Sequence, residues 1–395
     1  MKPLENVKIL DLTRVLAGPF CTMILSDLGA EVVKVEVPET GDDARCFGPF
    51  KNGQSLYFLS INREKKSISI NLKSEKGKQI LKDLIKKFDV IIENFRPGTM
   101  EKLGLSYEEL KAINPSIIYA AASGFGHSGP NSKKAAYDIL AQAMGGIMSI
   151  TGWPNTPPTR VGMSLGDITA SLYTAIGIIA ALYQKTITGE GQKIDIAMLD
   201  CQVSMLENAI TRFQVENKSP EPLGNRHPTI TPFQAFKASD KYFVIAVGND
   251  VLWKKFCEAI ERPELVCHEL FLTNKLRTHN LLELTTILDK IFIGKTADEW
   301  LDIIDKAGVP CGPINTVDKI IEDKQILSRN MIVEVEDKLA GKIKIAGNPI
   351  KMTNVPEKTT RKPAPDIGEH NVEVLSDYLG LTKQDVEKLK EEGVL

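Results

Sequence analysis

Residues 7–37 read Val-Lys-Ile-Leu-Asp-Leu-Thr-Arg-Val-Leu-Ala-Gly-Pro-Phe-Cys-Thr-Met-Ile-Leu-Ser-Asp-Leu-Gly-Ala-Glu-Val-Val-Lys-Val-Glu-Val. The first seven alternate well enough for a strand. Ala17-Gly-Pro19 breaks it, and Phe20 to Leu28 then follows helical spacing up to Gly29, a good residue for a helix end. Glu31-Val-Val-Lys-Val-Glu-Val37 predicts a second strand, stopped by Pro38. Strand, helix and strand in so short a span form a βαβ unit, which implies a parallel pair.

The pattern recurs outward. Strands are predicted at 67–72, 89–95, 116–121 and 193–198, with helices at 75–88, 106–114, 136–146 and 199–216 between or after them. Ser106-Tyr-Glu-Glu109 is a capping box. This alternation argues a doubly wound α/β domain over residues 1–216. Residues 217–232 hold Pro220, Pro222, Pro228 and Pro232 and read as a linker. Residues 233–325 carry a strand at 241–247 and helices at 251–260, 280–293 and 296–307, a smaller α+β domain. In residues 326–395 a late strand pair (331–336, 342–345) precedes an extended 356–366 and helices near 371–379 and 383–391.

Composition excludes several function classes. A net charge of −2 leaves no electrostatic footprint for nucleic acid. The six cysteines form no C-x-x-C pair and the five histidines no i, i+4 pair, so neither a disulfide framework nor a metal site is expected. The turn Arg14–Phe20 lacks the glycines a dinucleotide needs, and there is no P-loop lysine. The N-terminus has no apolar signal core. The uncharged run 168–184 reads as a buried core helix rather than a membrane span. A reducing cytoplasmic setting is expected.

That helix is opened by Gly162-Met-Ser-Leu-Gly-Asp-Ile-Thr-Ala-Ser171. Its G-x-S-x-G wording matches a nucleophile elbow at Ser164, but Pro157-Pro-Thr-Arg-Val161 is a poor central strand to lead into one. Asp167 carries two readings. It can cap the helix, accepting first-turn N–H groups. The same position can hold an ionised carboxylate, with Gly166 leaving room and a free N–H for a developing oxyanion. A carboxylate is a weak nucleophile, sufficient against a thioester.

The motifs Asp11-Leu-Thr-Arg-Val-Leu-Ala-Gly-Pro19, Leu28-Gly-Ala-Glu-Val-Val-Lys-Val-Glu36, Glu93-Asn-Phe-Arg-Pro-Gly98, Gly124-Phe-Gly126, Gly166-Asp167, Thr188-Gly-Glu-Gly-Gln192, Gly224-Asn-Arg-His-Pro228 and Val309-Pro-Cys-Gly-Pro313 together resemble the class III CoA-transferases, the CaiB/BaiF and formyl-CoA transferase family. A softer resemblance points to the succinate–hydroxymethylglutarate branch. The resemblance implies a Rossmann-like large domain built from both chain ends, an inserted smaller domain, and an interlocked homodimer. It implies that Asp167 attacks an acyl-CoA, giving an aspartyl anhydride and then an aspartyl-CoA thioester. Coenzyme A and small carboxylic acids are then substrates, with no permanent cofactor.

By position, the resemblance assigns Val15, Leu16, Ala17, Leu72, Lys73, Asn94, Phe95, Lys102 and Asp138 to the CoA site. Arg14, Arg160, Arg226 and Gly248 become candidates for holding the acid. Arg14, Leu16 and Val37-Pro38 depart from formyl-CoA transferase, and its glycine-rich lid is reduced to Gly248-Asn249. These departures disfavour formate and oxalate. Ala136-Tyr-Asp138 lacks the histidine of the related racemases, so racemase is the weaker enzyme reading.

Overall fold

The computed structural model describes residues 2–395, and the chain divides into two compact units. The first comprises residues up to 147, 161–210 and 324–395; the second comprises 148–160 and 211–323. Residues 217–232, expected as a linker, thus fall inside the second unit.

The first unit is built on six parallel strands. In chain order its main elements are β1 (Lys8–Asp11), α1 (Ala17–Asp27), β2 (Glu31–Glu36), α2 (Leu56–Asn62), β3 (Lys66–Ser69), β4 (Val90–Glu93), β5 (Ile118–Ser123), α3 (Asp138–Met144), α4 (Leu165–Thr188) and β6 (Lys193–Ala197). The sheet order is β3-β2-β1-β4-β5-β6, every pairing parallel. Order reverses between β1 and β4, so a crevice is expected beyond the carboxyl ends of those two strands.

Both sheet faces are covered, as parallel strands require. On one face Ile9, Val32, Ile92, Ile118 and Ala120 pack against Cys21 and Leu25 of α1 and Ala175, Ile178 and Ala181 of α4. On the other, Leu10, Val33, Ile68 and Ile91 meet the helix Glu75–Ile85 and, from the returning chain end, Val374, Leu375 and Val386. A second sheet pairs Ile332–Asp337 antiparallel with Gly341–Ala346 and parallel with Thr360–Arg361, and packs against Phe58 and Leu59 of α2.

The second unit has a three-stranded antiparallel sheet of Phe233–Lys237, Tyr242–Ala246 and Cys311–Pro313. Helices Asp250–Ala259, Leu281–Phe292 and Ala297–Lys306 cover it around Trp253, Phe256, Phe292 and Trp300.

Two expectations need correction. The run 168–184 is not buried all round: α4 buries one face and leaves Leu172, Ile176, Ile179, Tyr183 and Ile187 exposed. By length and composition alone it is apolar enough to cross a bilayer. The expected helix 199–216 is two, Met198–Ser204 and Ala209–Glu216.

Candidate active site

The carboxyl ends of the strands gather most of the residues singled out in the sequence. Arg14 to Ala17 follow β1, Leu72 and Lys73 follow β3, Asn94, Phe95 and Lys102 follow β4, and Asp138 lies beyond β5. In a parallel sheet these positions share one edge.

The turn after β1 is tied to β4 at the order reversal. Arg14 N–H donates to Asn94 Oδ1 at 2.9 Å, and Asn94 Nδ2 donates to the Arg14 carbonyl at 2.8 Å. Asn94 therefore holds the turn, while the Phe95 ring packs on the core and its N–H donates to Glu93 at 2.7 Å. Arg14 Nη1 is paired with Asp43 at 2.9 Å on the surface. Leu16 enters a small cluster with Met23 and Ile61, flanked by Val15, Tyr57 and Ile168. The Ala17 carbonyl accepts from Ser171 Oγ of α4 at 2.6 Å, so the β1 turn and the start of α4 are adjacent.

Asp167 is the third residue of α4, in its first turn rather than at the cap. The N-cap is Ser164, whose side chain makes no capping bond. Capping is supplied from another helix: Gly166 N–H donates to Asp138 Oδ1 at 2.7 Å. The other oxygen of Asp138 accepts from Gln142 Nε2 at 2.8 Å, and Gln142 Oε1 accepts from Val161 N–H at 2.9 Å. A Cβ at residue 166 would stand 3.1 Å from Asp138 Oδ1 and 3.3 Å from the Ala141 Cβ, so glycine allows this close approach.

The electrostatics reverse the sequence expectation. The helix dipole was expected to keep Asp167 ionised. Instead burial, and next the negative charge of Asp138, push its pKa from 3.8 up to about 7. Among the described residues no donor is bonded to its carboxylate, and the Gly166 N–H proposed for an oxyanion is already taken by Asp138. A half-desolvated carboxylate without hydrogen bonds is more nucleophilic than a solvated one.

Tyr57, on α2, was not singled out in the sequence. Burial raises its pKa to about 12, with the charges of Asp167, Asp42 and Asp138 adding to the shift, and its side chain packs against the cluster of Leu16, Met23 and Ile61. No local motif marks it; it lies in Gln54-Ser-Leu-Tyr-Phe-Leu-Ser60. Gln142 was also missed, and only its bonds to residues 138 and 161 reveal it.

Other expectations scatter. Lys73 and Lys102 are exposed, and Leu72 is partly buried against the core. In the second unit, Gly248 is exposed with open space around it, and Asn249 caps the next helix by accepting Leu252 N–H at 2.9 Å. Arg226 has its pKa lowered by burial and then by the like charge of Arg212. Arg212 Nε is buried with no acceptor among the described residues. Ser164 follows no strand: between Ser123 and Lys193 the first unit has none, so the strand–turn–helix context of a nucleophile elbow is missing.

The geometry assembles a raised-pKa carboxylate, a second carboxylate and a pinned turn at a sheet switch point. Comparison with known proteins bears on the same chemistry. The model of CoA-transferase family III matches residues 4–371. The chain is 43% identical to an acetyl-CoA:oxalate CoA-transferase of Acetobacter aceti over 95% of this chain and 96% of that one. It is 41% identical to the human succinyl-CoA:glutarate CoA-transferase over 100% and 90%. A crystal structure of a CaiB/BaiF family protein from Brucella suis superposes with a TM-score of 0.84 at 39% identity, covering 95% of this chain and 99% of that one. The chain belongs to CoA-transferase family III, and it is a CoA-transferase of that class.

Proposed function

We propose that the protein moves CoA from an acyl-CoA to a dicarboxylic acid, with Asp167 as the covalent carrier. The observation that carries this reading is the partly buried Asp167 carboxylate, unbonded among the described residues, beside the β1 turn in a chain of this family. An Asp167 oxygen attacks the thioester carbonyl; the C–S bond breaks, leaving an aspartyl anhydride and CoA thiolate. The thiolate attacks the aspartyl carbonyl, releasing the first acid and forming an aspartyl-CoA thioester. The acceptor carboxylate then attacks that thioester, and the returning thiolate takes the new acyl group and frees Asp167. Each step exchanges one acyl bond for another. Residues Val15–Ala17, Leu72, Lys73, Phe95 and Lys102 are assigned to CoA contact, and Asp138 to controlling the charge on Asp167.

The acceptor class rests on the relatives. Their names include oxalate, glutarate, D-citramalate and mesaconate, all dicarboxylic acids. The oxalate-using relative returns oxalate to the candidates that sequence departures had disfavoured. Succinyl-CoA is the donor in several of these names and is our first choice. Arg226 with Arg212 is the better candidate for the second carboxylate, because Arg14 is already paired with Asp43. Arg226→Gln is expected to raise KM for dicarboxylates about tenfold and leave monocarboxylates unchanged. Equal losses for both classes, in steady-state assays with succinyl-CoA, would remove Arg226 from this role.

The strand order supports the Rossmann-like reading of the first unit. The exposed stripe Leu172, Ile176, Ile179, Tyr183 and Ile187 supports the homodimer, since a second copy would bury it. Sedimentation should give a dimer at micromolar concentration; a monomer would defeat this assignment. Six free thiols fit the reducing cytoplasm we assign.

A further inference from the structure

We propose that the buried pair Lys34–Asp42 is a strap that forces the β1 turn into the backbone shape CoA meets, making both of them positioning residues for the transfer reaction. The proposal rests on the reading that Val15–Ala17 contact CoA.

Val15 has φ +67°, a left-handed conformation that a β-branched residue rarely adopts. Something must hold it there. Asp42 Oδ1 accepts Val15 N–H at 2.9 Å, and also Ala44 N–H at 2.9 Å. Asp42 Oδ2 is 2.8 Å from Lys34 Nζ, in a pair whose side chains are 0% and 1% exposed. Lys34 Nζ also donates to the Thr13 carbonyl at 2.7 Å. With Asn94 on the opposite side, the Thr13 carbonyl, both main-chain groups of Arg14 and the Val15 N–H are all held by fixed side chains.

The strap is itself anchored. Asp42 N–H donates to Glu36 Oε2 at 3.0 Å, and Arg45 and Ser67 bond the same carboxylate group. Beneath the turn, Asp11 binds Lys65 at 3.1 Å and the backbone and hydroxyl of Thr13. A buried ion pair contributes little net stability, because desolvating both charges offsets their attraction. Its use here is conformational: it fixes one backbone state at a residue whose own preference is for another. Neither Lys34 nor Asp42 is among the residues the sequence assigned to the CoA site; both lie in or after β2, remote in sequence from the turn they hold.

The test is a double-mutant cycle between Asp42→Asn and Val15→Gly, read by CoA affinity and by amide hydrogen exchange at residues 14–17. Asn keeps an oxygen for Val15 N–H and loses the charge that Lys34 holds. Glycine adopts positive φ without strain, so it removes the need for the strap. Asp42→Asn alone should speed exchange at 14–17 and weaken CoA binding on the order of tenfold, raising KM for acyl-CoA more than it lowers kcat. In the Val15→Gly background the same substitution should cost less than about threefold. An equal penalty in both backgrounds, or unchanged exchange at 14–17, overturns the strap. Faster exchange with unchanged CoA affinity overturns its role in binding and, distinguishably, the assignment of the turn to CoA. If Asp42→Asn alone does not fold, recovery of a folded, CoA-binding protein in the double variant supports the strap, and failure to recover overturns it.

Discussion

Asp167→Ala is expected to lose CoA transfer by a factor on the order of 10⁴ or more while still binding CoA. No other group can take its place. The mechanism needs a carboxylate that forms and breaks acyl bonds at one point. Asp138 is the nearest alternative, but its two oxygens are occupied by Gly166 N–H and Gln142 Nε2. Alanine removes a partly buried carboxylate that no hydrogen bond holds among the described residues, so the variant should fold as well as the parent. CoA contact is assigned mainly to the turns after β1, β3 and β4, which the substitution does not touch. Transfer is measured by exchange of labelled acid into acyl-CoA, and binding by calorimetry with free CoA. Retained transfer would remove Asp167 from the chemistry. Loss of both transfer and binding would make its role structural.

The second large effect is on pH. Asp167 attacks only when ionised, and its pKa stands at about 7 through burial and then through Asp138. The sign follows: below that pH the carboxyl is protonated and idle, so transfer rises with pH through about 7. At pH 6 roughly a tenth of the plateau rate is expected. Asp138→Asn removes the neighbouring negative charge but leaves burial in place. The midpoint should therefore move to lower pH without reaching the ordinary carboxylate range. An Asn oxygen can still accept Gly166 N–H, which keeps the start of α4 in place. A profile of kcat/KM against pH that is the same in both proteins would show that Asp138 does not set the charge on Asp167.

These expectations separate what the sequence carried from what it could not. The strands of the parallel sheet were legible because their apolar alternation is local and each is closed by a recognisable break, as at Ala17-Gly-Pro19 and Pro38. The capping box at Ser106 was local too, and it forms. Helix α2 was not read, since Leu56-Tyr-Phe-Leu-Ser-Ile-Asn62 is short and apolar without a clear period. The two faces of α4 could not be told apart, because a run without charge gives no polar side to orient by.

The site was legible as a list of residues but not as an electrostatic state. Sequence placed Asp167 at a helix start and inferred an ionised group. The opposite shift comes first from burial and then from Asp138, 29 positions earlier in the chain, neither of which a local pattern encodes. The same holds for Gly166. Its glycine was read as space for an oxyanion, whereas that space is filled by the Asp138 carboxylate. Transfer through Gly166 N–H would require that bond to open first. Tyr57 and the Lys34–Asp42 pair were missed for a related reason: each acts across elements that only the fold brings together.

Asp167 as the covalent carrier of CoA can be trapped directly. Incubating the protein with succinyl-CoA, without an acceptor, and quenching with hydroxylamine converts an aspartyl thioester to a hydroxamate. Mass spectrometry of the peptide containing Asp167 should then find that modification in the native protein and not in Asp167→Ala. An unmodified Asp167 under conditions of turnover, or an adduct on Ser164 instead, would show that Asp167 is not the covalent carrier.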